Sequence, residues 1–271
     1  MFSDDQIETF ARDGVLFLPG LLDRHWQNAC LDAWQWSISH PGPLASGLLP
    51  GSNAAFQDLC NPGARTVYGD IIHRSPLAAT AASLWRGSPV WYMYEQVFHK
   101  RDGAAGRTPW HQDTSYLAVD GDHLIGYWIS FEALPATHTL EFVKGSHRGT
   151  LYNTTRFDPE DPTLPIFPSD SVPSLPDIEA SRGDYDIVSW PVVPGDVIAF
   201  HTSILHGGGA VDTTVRDRRT LTLRFFGADA VAARRPGVAG PFYEDIRALQ
   251  PGEPFRHPRF PAVWPQQGTT Q

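Results

Sequence analysis

Lysine is nearly missing from this chain: Lys100 and Lys144 stand against nineteen arginines. Cysteine is as sparse, and Cys30 and Cys60 are too few for a disulfide framework, so both read as buried thiols. No apolar run approaches the length of a membrane span and the N-terminus lacks a signal-peptide layout, so a cytoplasmic protein with no membrane partner is expected. Positive charge is short overall. With 21 basic and 30 acidic residues the formal charge is -9, spread along the chain, which argues against a nucleic-acid surface. A small anionic ligand would need a local arginine. In quantity the chain has 24 glycines and 24 prolines, as a loop-rich β protein does, and its 271 residues suit one domain over 1–271.

The first ninety residues carry helical signals. Ser3 caps a helix with Ile7, Phe10 and Ala11 on one face, stopped by Gly14, and a short strand from Val15 to Leu18 follows. Asp23 caps a second helix in which Trp26, Cys30, Ala33, Trp34 and Ser37 recur every three or four residues. The stretch from Gly42 to Gly69 has no period and reads as loop. Ser75 and Pro76 start a third helix through Leu84. From Val90 the pattern becomes strands: Val90 to His99, the segment around His111, Leu124 to Ala133, Leu140 to Val143, Ile187 to Trp190, Val197 to His201 and Arg219 to Phe226. Helices followed by many short strands predict a mainly β fold with peripheral helices, a jelly-roll barrel. The Pro-, Asp- and Ser-rich stretch 153–189 is too long for an ordinary connection and reads as an active-site cover or a disordered lid. Within it Asn153-Thr154-Thr155 forms a glycosylation sequon, without meaning inside the cytoplasm.

The chemistry concentrates in Trp110-His111-Gln112-Asp113. A histidine and a carboxylate two residues apart share one face of an extended strand. His206, in a Gly-rich segment, can supply a third ligand. Two histidines and one carboxylate on adjacent corners leave the other corners of a six-coordinate metal open, which suits Fe(II) and oxygen chemistry. On the last strand Arg218, Thr220, Thr222 and Arg224 alternate with apolar residues; if that polar face looks into the barrel, Arg218 is an inward fork able to grip a carboxylate. His201 is a candidate for supporting the site and His147 for a structural turn.

Those segments together resemble the phytanoyl-CoA dioxygenase family of Fe(II)/2-oxoglutarate enzymes: Pro109 to Asp113, the Trp128 strand, Leu140 to Arg148, Pro194 to His201, His206 with its glycines, and Arg218-Arg219. The opening Phe10 to Gly20 is similar as well. The resemblance implies a double-stranded β-helix (jelly roll, cupin-like), iron held by His111, Asp113 and His206, and 2-oxoglutarate held by Arg218, with Trp128, Gln96 and Lys100 nearby. Two departures stand out. The family often has an asparagine soon after the distal histidine and an Asn-Gly pair before the Gly-Ser-His segment. Here those positions read Val211-Asp212 and Thr137-His138-Thr139, which bears on loop geometry and substrate choice. Relatives that halogenate have a small residue where Asp113 stands.

The expected activity is oxidation of a C–H bond in a small organic metabolite, by default hydroxylation, with O2 consumed and succinate and CO2 released. Tyr92, Tyr94, Trp110, Ser115 and Tyr116 are the candidate pocket residues, with the 153–189 insertion as cover. The family name suggests an acyl-CoA, but the chain lacks a lysine-rich patch for its phosphates, which favours a smaller or uncharged metabolite. A cupin-like metal isomerase or hydrolase would use the same ligands without needing Arg218. A non-catalytic sugar-binding jelly roll would not need the three ligands.

Overall fold

The computed structural model describes residues 2–46, 55–158, 161, 164–167, 172–236 and 240–265. The chain begins with α1 (Asp4–Asp13), β1 (Val15–Leu18) and α2 (Arg24–Ser39), then β2 (Ala55–Leu59) and the helices α3 (Ala64–Val67), α4 (Gly69–Arg74) and α5 (Pro76–Leu84). Strands follow as β3 (Val90–Lys100), β4 (Thr108–His111), β5 (Val119–Asp120), β6 (Leu124–Ser130), β7 (Leu140–Val143), β8 (Ile187–Val188), β9 (Val197–Phe200), β10 (His206–Gly208) and β11 (Arg218–Phe226). The end adds β12 (Val231–Ala232), α6 (Tyr243–Ile246) and β13 (Ala262–Trp264).

The helix ends follow local chemistry. Ser3 Oγ accepts from the Gln6 amide at 3.2 Å and the Gln6 side chain accepts from the Ser3 amide at 3.0 Å, a reciprocal cap that satisfies two free donors. Gly14 closes α1 at φ 76°, a backbone region that costs a side chain. Asp23 caps α2 through the Trp26 amide at 3.0 Å, and Ser75 caps α5 ahead of Pro76.

Among the described residues the larger sheet runs β1-β9-β6-β11-β3-β13, with β2 sharing the outer edge of β3, and the smaller runs β4-β10-β7-β8. Every pairing between these strands is antiparallel. One face of the larger sheet, with Val97, Ile125, Tyr127, Leu221, Leu223 and Phe225, packs on helix residues such as Phe10, Trp34, Ile72, Leu77 and Ala81. Each large apolar side chain so buried contributes about 1.5–3 kcal/mol. Its other face meets the smaller sheet through Trp128, Ile198 and Phe200 against Leu140 and Phe142. The fold is the jelly roll with outer helices that the patterning predicts, and no described helix is long and apolar enough to cross a membrane.

Two regions differ from expectation. The stretch 42–69 holds β2 and α3. The burial of β2 does not alternate, so no period marks it; its pairing with β3 makes it a strand. The residues after β11, to which the sequence assigned nothing, pack Phe242, Phe255 and Phe260 on Phe226 in a separate aromatic cluster.

Glu95 on β3 is buried on the side away from His111, Asp113 and His206, accepting from the Asn61 amide at 2.8 Å and the Tyr92 hydroxyl at 2.9 Å. Burial pushes its carboxyl up to about 7. The folded state therefore keeps a proton that the unfolded chain has released. This contribution is complete below the ordinary carboxyl range near 4.5, is lost as pH rises toward 7, and is level above it. Glu95→Gln is expected to gain about 2–3 kcal/mol on wild type between pH 5 and pH 8 in urea unfolding. A difference that does not vary with pH would contradict the assignment.

Candidate metal centre and active site

β4 and β10 lie side by side, and their register sets His206 opposite His111, with ring centroids 4.1 Å apart. Gly207 makes this approach possible, because a Cβ there would lie 2.9 Å from the Thr108 carbonyl. Each imidazole Nδ1 faces the carbonyl two residues before it: His111 to Pro109 at 2.8 Å, His206 to Ile204 at 3.0 Å. A carbonyl only accepts, so Nδ1 carries the proton and Nε2 keeps its lone pair for a ligand bond. Burial pushes His206 down to about 3, which keeps it neutral.

The extended backbone at Gln112, followed by a tight turn over Asp113–Tyr116, brings Asp113 back to the same side. Its Oδ1 is 3.7 Å from His111 Nε2 and 3.9 Å from His206 Nε2. The three donor atoms lie within 4.8 Å of one another, as donors sharing one ion with bonds of about 2 Å require. Gln112 fastens the turn: its amide donates to the Ser203 carbonyl at 2.7 Å and the Thr150 carbonyl at 3.2 Å, and accepts from the Tyr152 N–H at 2.8 Å.

The other oxygen of Asp113, Oδ2, receives Arg224 Nε at 2.9 Å and Nη2 at 2.8 Å. Both residues are buried, and the Arg224 guanidinium lies 4.7 Å over the Tyr94 ring. Burial alone would raise Asp113, yet the Arg224 guanidinium holds it well below the usual carboxylate range. With Oδ2 engaged, Asp113 offers a metal one oxygen.

A cavity of about 370 Å³ opens over these groups. Its β11 wall carries Arg218, Thr220, Thr222 and Arg224, and the pairings set Gln96 and Trp128 beside Thr222. Among the described residues Arg218 is buried and forms no ion pair; Nη1 donates to the His138 carbonyl at 2.9 Å, while Nε and the Thr220 hydroxyl have no partner there. Burial pulls Arg218 down to about 10. Arg219 points outward, to Glu132 at 2.5 Å and over Trp34. The two departures from the family pattern meet here, because His138 Nε2 lies 3.1 Å from Asp212 Oδ2 and ties together the loops beside Arg218. Gly209 sits at φ 67° with Arg218 packed where its Cβ would be.

Of the candidate pocket residues, Tyr94 and Tyr116 line the cavity, as do Gln96, Trp128 and Arg218. Four others do not. Tyr92 lies in the helix-facing core and bonds Glu95, because a bulge shifts the β3 register between Tyr94 and Tyr92 and turns it to the opposite face. Trp110 alternates with His111 along β4, so it packs on Ile178 and Leu205 and donates to Glu179 at 2.6 Å. Ser115 turns back to the Tyr152 carbonyl at 2.9 Å. Lys100 spends its ammonium group on the Gly106 and Gly209 carbonyls and Thr108 Oγ1, fastening the frame around Arg218. His201 is structural: Nδ1 accepts from Ser203 N–H at 3.1 Å and Nε2 faces the Gly121 carbonyl at 3.2 Å.

From the described part of the 153–189 insertion, Arg156, Phe157 and Ile166 line the cavity. Asn153, the sequon residue, is buried and its side chain exchanges two hydrogen bonds with the Phe167 backbone. Phe157 sets its ring edge-on to His111 at 5.0 Å and stacks on Tyr116 at 5.7 Å. Neither Phe157 nor the tie from Arg224 to Asp113 stood out in the sequence. Arg224 lay on the right face, but nothing local linked it to a residue 111 positions away.

Comparison with known proteins agrees with the fold. In structure the chain is similar to the non-heme alpha-ketoglutarate-dependent carbocyclase SnoK from nogalamycin biosynthesis, at 20% identity and TM-score 0.71 over 97% of this chain and 96% of that one. It is similar to the epimerase SnoN in complex with Fe3+, alpha-ketoglutarate and nogalamycin RO, at 20% identity and TM-score 0.70 over 96% and 98%. EctD from S. alaskensis with 2-oxoglutarate and 5-hydroxyectoine matches at 18% identity and TM-score 0.68 over 93% and 85%. At these identities the likeness is one of fold. No curated protein matches the sequence significantly. A family model does, over residues 10–220, and the chain belongs to the phytanoyl-CoA dioxygenase family.

Proposed function

We propose that this protein is an Fe(II)- and 2-oxoglutarate-dependent oxygenase that oxidises, by default hydroxylates, a C–H bond of a small organic metabolite. The observation that carries the reading is one cavity holding both the convergent His111 Nε2, Asp113 Oδ1 and His206 Nε2 donors and a buried arginine, Arg218, with no acidic partner among the described residues. Iron held by those three donors would supply oxygen activation coupled to decarboxylation of 2-oxoglutarate to succinate. The protein's share is placement. Arg218 and Thr220 lie in the cavity wall where a carboxylate would be held, Trp128 and Phe200 wall the cavity, and Phe157 with Tyr116 limits water at the ligands. An isomerase or hydrolase on the same ligands would have no use for Arg218.

The test is succinate release from 2-oxoglutarate under Fe(II) and O2 across a panel of small metabolites, with dependence on both iron and 2-oxoglutarate expected. Asp113 fills the corner that a halide would need. Mass spectrometry should therefore find products that gain one oxygen or lose two hydrogens, and no chlorinated product in high chloride. A halogenated product, or turnover without succinate, would sink the reading.

A further inference from the structure

Gln112 stands between two of the proposed ligands in sequence and on the reverse side of the chain in space. Its backbone is extended, so His111 and Asp113 share one side and the residue between them takes the other, where it is 1% exposed. The amide has one way to sit there. The carbonyls of Ser203 at 2.7 Å and Thr150 at 3.2 Å can only accept, and the Tyr152 N–H at 2.8 Å can only donate, so both Nε2 hydrogens and one lone pair of Oε1 are engaged.

These bonds join three pieces of chain. Ser203 belongs to the loop that leads to His206, and that loop is also held to the turn at Asp113, through Thr114 N–H to the Thr202 carbonyl at 3.0 Å and Ser203 Oγ to Thr114 Oγ1 at 2.9 Å. Thr150 and Tyr152 belong to the stretch that runs into the insertion. Ser115 and Tyr116 hold the same stretch, at the Tyr152 carbonyl at 2.9 Å and at the Thr155 carbonyl, and at its end Phe157 meets His111. Of these three side chains of the turn, Gln112 also bonds the loop of His206. One amide nitrogen can hold two carbonyls only while both stay about 3 Å from it. An ion that draws Asp113 and His206 together therefore fixes the Gln112 amide, and a fixed amide holds Thr150 and Tyr152. By linkage the effect runs equally in reverse.

We propose, resting on the oxygenase reading, that Gln112 is a positioning residue that couples metal binding at His111, Asp113 and His206 to docking of the stretch 150–157. Phe157 is then set against His111 when the ion is in place.

The test follows amide hydrogen exchange of residues 150–157 by mass spectrometry, relative to α2, in full-length protein with and without Co(II) as an oxygen-stable stand-in for Fe(II). In wild type Co(II) should slow that exchange about tenfold, within the usual range of coupling between sites. Gln112→Met keeps the length of the side chain and loses all three bonds. It should exchange faster without metal, show no slowing by Co(II), bind Co(II) about tenfold more weakly and shift its visible absorption. Ser115→Ala removes a tie to Tyr152 that does not extend to the loop of His206. Its exchange should also be faster, yet Co(II) should still slow it about tenfold and its absorption should match wild type. A role confined to stability would lower the urea midpoint of Gln112→Met while leaving the slowing factor and the absorption as they are, and that result overturns the proposal. Wild-type protein that binds Co(II) with no slowing of exchange overturns it as well, a measurement that needs no variant to fold. Wild type that takes up no Co(II) would bring down the oxygenase reading and this role together, so the two failures are told apart.

Discussion

His206→Ala should leave a folded protein that retains no iron on dialysis and releases no succinate, whereas Asp113→Ala should lose the iron and much of its stability as well. The difference comes from what each side chain touches besides the metal. The Nδ1 partner of His206 is a nearby backbone carbonyl, so truncation removes one ligand and one local hydrogen bond. Asp113 is the counter-charge of buried Arg224. Removing one member of a buried ion pair strands the other and costs about 3–5 kcal/mol, a large part of the stability of an ordinary domain. The double variant Asp113→Leu with Arg224→Met takes away both charges and should recover most of that stability without recovering the metal. Iron content and urea unfolding of the four proteins decide the matter. His206→Ala with full iron and full turnover would refute the ligand set. Asp113→Ala as stable as wild type would show that the pair with Arg224 contributes little.

How far such a site can be read from sequence depends on the range of the interactions that build it. Ser3, Asp23 and Ser75 announce helix starts because a cap is satisfied within three residues. The alternation of Arg218, Thr220, Thr222 and Arg224 with Leu221, Leu223 and Phe225 shows which face looks inward, since a strand facing helices on one side and a cavity on the other must sort its residues by parity. Parity fails where the backbone departs from it. One bulge in β3 moves Tyr92 out of the cavity and leaves Tyr94 in it, and nothing in a run of aromatic residues marks the bulge. Strand β2 is invisible for a related reason, since its pairing partner lies some forty residues away and its own burial does not alternate. The Arg224 to Asp113 bond and the contacts of Phe157 with His111 and Tyr116 belong to neither pattern and exist only in the folded chain.

Arg218→Ala should raise the 2-oxoglutarate concentration needed for half-maximal succinate release by a factor of about 30 or more, with iron still bound. A buried, charge-assisted pair to a carboxylate is worth about 2–5 kcal/mol, and each 1.4 kcal/mol is tenfold. The effect should be confined to the cosubstrate, because Arg218 bonds the His138 carbonyl and no metal ligand. Arg219 is the control on the same strand: its side chain is tied to Glu132 on the outer face, so Arg219→Ala should change stability slightly and 2-oxoglutarate dependence hardly at all. Lysine at position 218 should restore only part of the affinity, since an ammonium group cannot present two parallel N–H bonds to one carboxylate. His138→Ala bears on the same point from the loop side. It removes the pairing with Asp212 that ties the loops beside Arg218, while the carbonyl that Arg218 uses is backbone and stays, so a smaller rise in the same parameter is expected. Titrating 2-oxoglutarate against the four variants, each checked for iron, separates these outcomes. Equal losses at Arg218 and Arg219, or a loss at Arg219 alone, would mean that a carboxylate is held from the opposite face of β11 and that the cavity has another purpose.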